Sequence, residues 1–269
     1  FRAAVDTIPF QHADLEALGL REEDCERLLH AVLPDGRITA GAGAVAAAPS
    51  SAQQSQAAFT SYLERMRAEA RSLGVSDGTI RAAFAGVTAP DPSVVQSNES
   101  QPEFVRPVWE YLSLAVSERR VTEGRQRYAQ EAATIDWAAR TYGVDAPYLV
   151  SIWGLESGYG ANMGSQNVIR SLATLGYQGR RSAYGTEQLL AALRILDAGD
   201  QTAQGLVGSW AGAMGQTQFI PTTYLAYAVD GSGDGRRDIW SSLPDVFAST
   251  ANYLSRSGWR PGEPSMIEV

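Results

Sequence analysis

A single acidic residue stands at the end of an apolar run near the middle of the chain. Glu156 follows Leu149, Ile152 and Trp153 with the spacing i, i+3, i+4, i+7, which places these side chains on one face of an α-helix. An apolar face disfavours the ionised carboxylate, and so does the partial negative charge at a helix C-terminus. We therefore expect Glu156 to stay protonated near neutral pH, as a general acid must. A carboxylate that caps the helix or pairs with an arginine is the alternative.

The residues on either side of this run predict the helix that must carry Glu156. Asp145 can cap its N-terminus, and Pro147 lies in the first turn, where a missing N–H costs little. Gly158 and Gly160 follow the acid and are typical of the end of a helix. The acid is therefore expected in the last turn of a short helix.

The composition limits the chemistry that can accompany this acid. A chain of 269 residues can bury a sizeable core, and its net charge of −8 argues against a nucleic acid or an anionic membrane as partner. Both histidines, His12 and His30, lie near the N-terminus, Cys25 is the only cysteine, and every basic residue is an arginine. These counts exclude a histidine triad, a cysteine metal cluster and Schiff-base chemistry from the rest of the chain. No apolar run reaches the length of a membrane span.

A second segment, residues 208–221, is rich in glycine and in neutral polar side chains. Its glycines allow the backbone to approach a partner closely. The donors and acceptors that suit sugar hydroxyls and N-acetyl groups are Ser209, Gln216, Thr217 and Gln218. The segment is predicted to form the other half of a sugar-binding site, and a tight turn between helices is the alternative.

Apolar residues recur at helical spacing along most of the chain, and no alternating strand pattern of any length is present. The fold class is therefore predicted to be all-α. The predicted apolar stripes cover residues 59–73, 80–84, 104–112, 121–142 and 189–196. Ser76 and Ser117 are predicted N-caps. Aromatic residues at these spacings are expected in the core rather than in a ligand site.

The N-terminal part of the chain differs from the rest. Residues 1–48 are too few to bury much core alone, and we expect helices at 15–20, 25–33 and 44–48 with a short strand at 37–39. This part resembles the C-terminal end of a small thioredoxin-like family, whose paired cysteines it lacks, so no activity is implied and a packing appendage is predicted. Residues 49–57, rich in Ala, Ser and Gln, are predicted to form a flexible linker.

Four segments, taken in order, resemble the family of membrane-bound lytic transglycosylase B, the murein transglycosylases of glycoside hydrolase family 103. They are Glu-Ser-Gly-Tyr-Gly at 156–160, Arg-Ser-Leu-Ala-Thr-Leu-Gly-Tyr at 170–177, Gly-Ser-Trp-Ala-Gly-Ala-Met-Gly-Gln-Thr-Gln-Phe at 208–219 and Ala-Asn-Tyr-Leu at 251–254. The resemblance implies a lysozyme-like α domain at 143–264 with an additional helical domain at 58–142, followed by a tail at 265–269. Family members continue into a further segment that extends the groove.

The resemblance also implies roles for individual residues. Glu156 matches the single catalytic acid of the family. The substrate-binding residues predicted on this basis are Ser209, Gln218, Asn252, Tyr253, Tyr159 and Met214. Ordinary glycosidases use two carboxylates. A lone acid suffices if the 2-acetamido group and the C6 hydroxyl of N-acetylmuramic acid supply the missing nucleophiles. The product would then be a 1,6-anhydro sugar, and no cofactor would be needed.

An acidic loop further along the chain begins like an EF-hand. Asp230, Ser232 and Asp234 stand at positions 1, 3 and 5, with glycine at position 6. Position 12 holds Ser241 instead of glutamate, so Asp245 would have to complete the site. The candidate set for a structural calcium ion is Asp230, Ser232, Asp234, Arg236 and Asp245. Some members of the family carry such a loop and bind calcium there. An Asx-rich turn, with Asp238 paired to an arginine, is the alternative.

The predicted function is a lytic transglycosylase that acts on peptidoglycan glycan strands in the periplasm or cell envelope of a bacterium. We expect a monomer without a transmembrane segment, with a lipid anchor ahead of residue 1 as an option for the precursor. Arg170, Arg180 or Arg181 could meet carboxylates of the peptide stems. Three alternatives stay open: a lysozyme-type hydrolase, a catalytically weak glycan-binding module of a cell-wall assembly and, least favoured, a calcium sensor.

Overall fold

The computed structural model describes residues 30–32, 38–40, 51–99, 115–177 and 179–262. Four short strands are present among them: β1 His30–Val32, β2 Ile38–Ala40, β3 Gln166–Asn167 and β4 Val207–Gly208. The helices are α1 Ser51–Ser72, α2 Asp77–Ala83, α3 Pro92–Glu99, α4 Glu118–Tyr142, α5 Ala146–Ser157, α6 Val168–Tyr177, α7 Ser182–Asp197, α8 Pro221–Tyr227 and α9 Leu243–Arg256. The all-α prediction is confirmed, since the strands form only short two-stranded pairs.

The chain divides into two compact units, Phe1–Ala58 and Phe59–Val269. In the first unit, β1 and β2 pair antiparallel, with His30 opposite Ala40. The predicted strand at 37–39 lies one residue early, and the predicted helix at 25–33 is contradicted at 30–32. The origin of residues 1–48 stays a prediction, because most of them lie outside the described residues.

The flexible-linker prediction does not hold for residues 51–57, which form the first turns of α1. Alanine and glutamine favour helix, so this stretch continues the helix of the apolar stripe that follows it. The stripe is confirmed: its buried members are Phe59, Tyr62, Leu63, Met66 and Ala70. Leu73, at the end of the stripe, is 54% exposed because the helix stops there and Gly74 turns the chain with φ +89°.

Helices α2 and α4 begin at the predicted caps. The Ser76 side chain accepts a hydrogen bond from the Thr79 N–H, and the Ser117 side chain accepts one from the Arg120 N–H. Gly143 ends α4 in the left-handed conformation. The third predicted helix, over residues 104–112, lies outside the described part of the chain.

The apolar stripe of α4 is only partly buried. Ile135 is fully buried, whereas Val121 and Tyr128, predicted to face inward, are 38% and 36% exposed. The backbone leaves helical geometry at Glu131 (φ −111°, ψ 15°), so the two halves of α4 do not present the same face. A break of this kind leaves no mark in the hydrophobic pattern.

The core of the second unit lies between α6 and α7, with α4 packed against α5 and α9. The α6–α7 contact is close because two glycines meet: a Cβ on Gly185 would lie 2.3 Å from the Gly176 nitrogen. Since α4 packs on α5 and α9, the predicted domains 58–142 and 143–264 lie in one compact unit, and a boundary at residue 142 stays a prediction. The 265–269 tail is not among the described residues. No helix in the described ranges is both long and apolar enough to span a membrane.

Candidate active site

Helix α5 positions Glu156 in its last turn, as the sequence predicts. Asp145 is the N-cap residue, but its carboxylate does not cap the helix and instead accepts a hydrogen bond from the Gly262 N–H at 3.4 Å. Pro147 lies in the first turn. Gly158 ends the helix with φ 57°, and Gly160 also has a positive φ, so both predicted stops are confirmed.

The helix face that carries Glu156 is not buried along its whole length. Leu149 and Trp153 are buried, but Glu156 is exposed, which contradicts the prediction that it lies on the buried face. The face leaves the core in the last turn, because the chain reverses at Gly158. The surrounding protein nevertheless raises the pKa of the Glu156 carboxyl above its usual value, and burial is the sole cause. Solvent reaches the side chain in the free protein, so a bound glycan that excludes this solvent would raise the pKa further.

Glu156 makes no hydrogen bond or ion pair with the residues that the structure describes, and none of their charged groups contributes to the shift of its pKa. The interpretation as a capping or ion-paired carboxylate is therefore not supported within those residues. A single acid with a raised pKa and a free carboxyl can donate a proton to a ligand.

Tyr159 supports the end of α5 through its ring and its hydroxyl. It is buried, its hydroxyl donates to the Arg120 carbonyl at 2.8 Å, and its ring packs edge-on against Trp153. It fits because Gly124 and Gly154 have no side chain: a Cβ on either would lie 2.6 Å from the Tyr159 hydroxyl. These contacts use the Tyr159 hydroxyl and ring inside the fold, and the predicted role of Tyr159 in substrate binding stays a prediction. Its positive φ of 59° is held by this packing.

The glycine-rich segment folds back against the loop that follows α5. Strand β4 pairs with β3, and Gly208 and Phe219 both bridge to Met214. The Ser209 hydroxyl accepts a hydrogen bond from the Ala213 N–H at 3.0 Å, which closes the turn. A Cβ on Gly164 would lie 2.2 Å from the Gly208 carbonyl oxygen, so half-buried Ser209 lies beside the loop after the acid.

Two residues of this segment are core residues instead of ligand contacts. Met214 is fully buried at the centre of the bridges, which contradicts its predicted role in substrate binding. Thr217 is buried as well. Gly215, between them, is buried as well, so the backbone here runs through the core.

Gln218 has the geometry of a functional residue. It is half-buried and has φ +50°, a strained conformation for a residue other than glycine. Its side-chain NH₂ donates to the carbonyls of Met163 and Gly215 at 3.2 and 2.9 Å. Both donors are therefore used, and Oε1 has no partner among the described residues, which leaves an acceptor for a ligand N–H or O–H.

Helix α9 carries the predicted residues Tyr253 and Asn252, whose surroundings differ. The Tyr253 side chain is 38% exposed. Its ring centroid lies 5.6 Å from that of Phe219, the residue that directly follows Gln218. Asn252 is half-buried, and its NH₂ donates to the Tyr227 carbonyl at 2.8 Å. One N–H of Asn252 therefore holds α8 and α9 together, and the predicted substrate contact of Asn252 stays a prediction.

The acidic loop brings three carboxylates together. Oxygen atoms of Asp230, Asp234 and Asp245 all lie within 4.8 Å of one another. Asp245 is buried and accepts hydrogen bonds from the N–H groups of Gly231, Ser232 and Asp238. Hard oxygen donors of this kind suit calcium, so the residues fit the predicted ion.

The loop is also closed by its own hydrogen bonds, as the Asx-turn alternative requires. Asp230 accepts from the N–H groups of Gly233, Asp234 and Gly235 and from the Ser232 hydroxyl. The Arg236 guanidinium lies 3.9 Å from the Asp234 carboxylate. Because a positively charged guanidinium does not bind a cation, Arg236 can offer only its backbone carbonyl oxygen as a ligand. Asp238 caps the turn at Trp240 and Ser241 instead of pairing with an arginine.

The three arginines proposed for the peptide stems have different surroundings. Arg170 pairs with Asp91 at 3.5 Å and donates to the Ala89 and Pro90 carbonyls, which ties it to the fold. Arg180 donates to the Asn98 carbonyl at 3.4 Å. The Arg181 guanidinium lies over the Trp210 ring, 5.5 Å from its centroid.

An apolar cavity of about 410 Å³ lies between α4 and α5. Val121, Tyr128, Val150 and Leu155 are among its lining residues, and Glu156 is not. Of the residues predicted to act at the site, Tyr159 lines this cavity, whereas Glu156, Ser209, Gln218 and Tyr253 do not.

The family model of the transglycosylase SLT domain matches residues 58–269. The chain belongs to this family. Over 154 residues it is 34% identical to membrane-bound lytic murein transglycosylase B of Escherichia coli strain K12, a match that covers 57% of this chain and 42% of the relative. The resemblance predicted from the four segments is therefore confirmed.

Solved structures of the family have the same fold. SltB3 of Pseudomonas aeruginosa, in complexes with NAG-NAM-pentapeptide and NAG-anhNAM-pentapeptide, is 55% identical with a TM-score of 0.74, covering 77% of this chain and 55% of that one. Lytic transglycosylase Slt35 of Escherichia coli, in complex with calcium, is 28% identical with a TM-score of 0.66, covering 77% and 65%. The lysozyme-like helical fold is confirmed. The chain spans about half the length of the relatives it matches.

Sequence reasoning missed the buried residues that pack against the chain around Glu156. The glycines that accommodate Tyr159 carry no motif of their own, and Gln216 was expected to face sugar but is buried. The run of glycines at 158 and 160 was the available signal, because left-handed backbone next to a catalytic acid indicates a tightly packed turn.

Proposed function

We propose that this protein is a lytic transglycosylase that cleaves the bond between N-acetylmuramic acid and N-acetylglucosamine in peptidoglycan. The observation that carries the proposal is Glu156: an acid in the last turn of α5, with a raised pKa and a free carboxyl, in a member of the transglycosylase SLT family. The complexes of SltB3 with saccharide–pentapeptides support this substrate class.

The proposed reaction uses one protein carboxyl twice. Protonated Glu156 donates its proton to the glycosidic oxygen as the bond to C1 of N-acetylmuramic acid breaks, and the 2-acetamido group stabilises the developing positive charge. The C6 hydroxyl then bonds to C1, and its proton returns to the Glu156 carboxylate. The products are a free N-acetylglucosamine 4-hydroxyl and a 1,6-anhydro-muramic acid end. No water is consumed, and Glu156 regains its starting state.

Three further residues are proposed to contact the glycan. The free Oε1 of Gln218 accepts from an N-acetyl N–H or a hydroxyl, and the exposed Tyr253 ring packs against a sugar face. The third residue is Ser209, which lies beside the loop that follows the acid. Arg181, over the Trp210 ring, is the arginine proposed to meet a stem carboxylate, because Arg170 is already paired.

The acidic loop is proposed to hold a structural calcium ion through Asp230, Asp234 and Asp245, with Ser232 and the Arg236 carbonyl as further oxygen ligands. The calcium complex of Slt35 supports this proposal. The ion would contribute stability and take no part in the reaction. We further propose that the protein acts as a monomer in the bacterial cell envelope; the membrane-bound relative supports this location.

Digestion of purified peptidoglycan, with products identified by mass spectrometry, tests the proposed function. We expect muropeptides that end in 1,6-anhydro-muramic acid from the wild type and none from Glu156→Gln, which keeps the shape of the side chain but has no acidic proton. The variant should still bind peptidoglycan in a pull-down.

Two other outcomes would contradict the proposal. Products one water heavier, with reducing ends, would identify a lysozyme-type hydrolase and require a second carboxylate or an activated water. Binding without any product from the folded wild type would favour the glycan-binding module.

A further inference from the structure

The buried side chain of Gln216 joins two segments behind the acid. Its Oε1 accepts a hydrogen bond from the Trp153 indole N–H at 2.6 Å, and its NH₂ donates to the Trp240 carbonyl at 2.9 Å. The Gln216 backbone N–H also donates to the Ile239 carbonyl at 2.8 Å. One residue thus connects α5 to the segment that follows the acidic loop.

The indole N–H is the one polar group of the Trp153 side chain, and within the described ranges it donates to Gln216 alone. The indole ring packs edge-on against Tyr159 and Phe247, with centroids 5.4 and 5.1 Å away. Ring contacts of this kind tolerate sliding, because dispersion attraction has little direction. A buried hydrogen bond has a narrow preferred distance and angle, and it therefore fixes how deeply the indole inserts.

The loop immediately after Glu156 also rests on Gln216. A Cβ on Gly160 would lie 2.5 Å from the Gln216 Oε1. The Gln216 amide is therefore in contact with the chain on both sides of Glu156. Trp153 lies three residues before Glu156, nearly one helical turn, and Gly160 lies four residues after Glu156.

We propose that Gln216 is a positioning residue for Glu156, which holds the last turn of α5 through Trp153 and Gly160 so that the carboxyl meets the glycosidic oxygen. This inference rests on the proposed function of Glu156. The amide touches no substrate, and it acts through the helix. Proton transfer depends on placement within a fraction of an ångström, and a shift of about 1 Å can cost about 10²-fold in rate.

Gln216→Met tests the proposal, because methionine has a similar length and cannot form either hydrogen bond. Using soluble glycan strands, we expect kcat to fall by about 10–100-fold, with KM changed by less than about twofold. Trp153→Phe removes the indole donor of the same hydrogen bond. It should likewise lower kcat and leave KM nearly unchanged. The double variant should be little worse than either single variant.

Gln188→Met is the matched control. Gln188 is also a buried glutamine, and its Oε1 accepts from the Thr222 N–H and hydroxyl at the start of α8. Both methionine variants should lower the melting temperature, because each leaves buried partners unsatisfied. Only Gln216→Met should lower kcat at temperatures where circular dichroism shows that both variants are folded.

Gln216→Glu supplies a rescue that depends on pH. A protonated carboxyl carries one donor and one acceptor, so it can form both hydrogen bonds of the amide, whereas the ionised form has lost the donor. The ratio of its kcat to that of the wild type should be close to one at acid pH and fall as pH rises. The ratio for Gln216→Met should stay low throughout.

The outcomes separate the two proposals. An inactive wild type would remove the proposed function itself. An active wild type with normal kcat in folded Gln216→Met and Trp153→Phe would overturn the positioning role alone. Equal kcat losses in Gln216→Met and Gln188→Met would also overturn it, since a general loss of packing would then explain both.

Discussion

At the scale of single residues, Glu156 combines solvent exposure with a raised carboxyl pKa. Solvent exposure lets a glycan reach the Glu156 carboxyl, and partial burial of the same side chain disfavours its charged carboxylate form. Gln218 shows a related division: its NH₂ is used by the fold, its Oε1 is not, and the backbone accepts a positive φ to place it. In each residue, one part of the side chain is packed or hydrogen-bonded within the fold, and another part is available to a ligand.

The raised pKa of Glu156 predicts the pH dependence of cleavage. A general acid works while protonated, so the rate is retained below its pKa and lost as pH rises through it. Because burial raises this pKa, the alkaline limb of kcat/KM should lie above the ordinary range of a glutamate. A pH–rate profile on soluble glycan strands measures the limb. A limb at the pKa of an exposed glutamate would contradict the assignment of Glu156 as the acid.

At the scale of elements, α5 is predictable from its sequence and its surroundings are not. The cap position, the early proline and the stop at Gly158 all follow from local rules, and the structure agrees. The sequence could not indicate that Glu156 leaves the buried face, or that Tyr159 fills the space beside Gly124. Those outcomes depend on contacts between α4 and α5, elements whose pairing the hydrophobic period does not encode.

The Tyr159 packing predicts that Gly124→Ala destabilises the protein although alanine favours helix. Its new Cβ would lie 2.6 Å from the Tyr159 hydroxyl, and overpacking of this kind costs about 1–3 kcal/mol. In a Tyr159→Phe background the hydroxyl is absent, so the same change should cost much less. Urea unfolding of the two single variants and the double variant measures this coupling.

Gly78→Ala is the control for that series. Gly78 lies in α2, and a Cβ there would have no neighbour closer than 3.9 Å. We expect it to stabilise by about 0.5–1 kcal/mol through helix propensity. Equal effects of Gly124→Ala in both backgrounds would show that the Tyr159 hydroxyl does not limit the space at Gly124.

At the scale of the whole molecule, short motifs identified the family and the helical class, and packing decided which motif residues remain available. Gln218 and Tyr253 keep groups for a ligand, whereas Met214 and one N–H of Asn252 are used inside the fold. A motif records that a residue type is required and not whether the requirement is chemical or structural. That distinction depends on burial, which sequence spacing alone indicates poorly in a glycine-rich loop.

The distinction between a ligand-binding and a structural role also applies to the carboxylates of the acidic loop, where the stability of the protein can test it. These carboxylates already accept N–H groups of their own loop, so the loop is formed before an ion binds, and calcium should add stability without a large change in structure. At a calcium concentration about 100-fold above the dissociation constant, binding to the folded state contributes about 2.7 kcal/mol. For a chain of this size that corresponds to a rise in melting temperature of about 5–10 °C.

Asp234→Asn separates calcium binding from the fold of the loop. Asp234 is exposed, and an asparagine oxygen can still accept the hydrogen bond from the Arg236 N–H, so the melting temperature in chelator should equal that of the wild type. The rise in calcium should be largely lost, because a charged ligand is replaced by a neutral one. Asp77→Asn removes the same charge from an exposed ion pair with Arg71 in a different part of the unit and should keep the full calcium response. If wild type and both variants melt at the same temperature in calcium and in chelator, the loop is an Asx-rich turn, and its carboxylates serve the backbone alone.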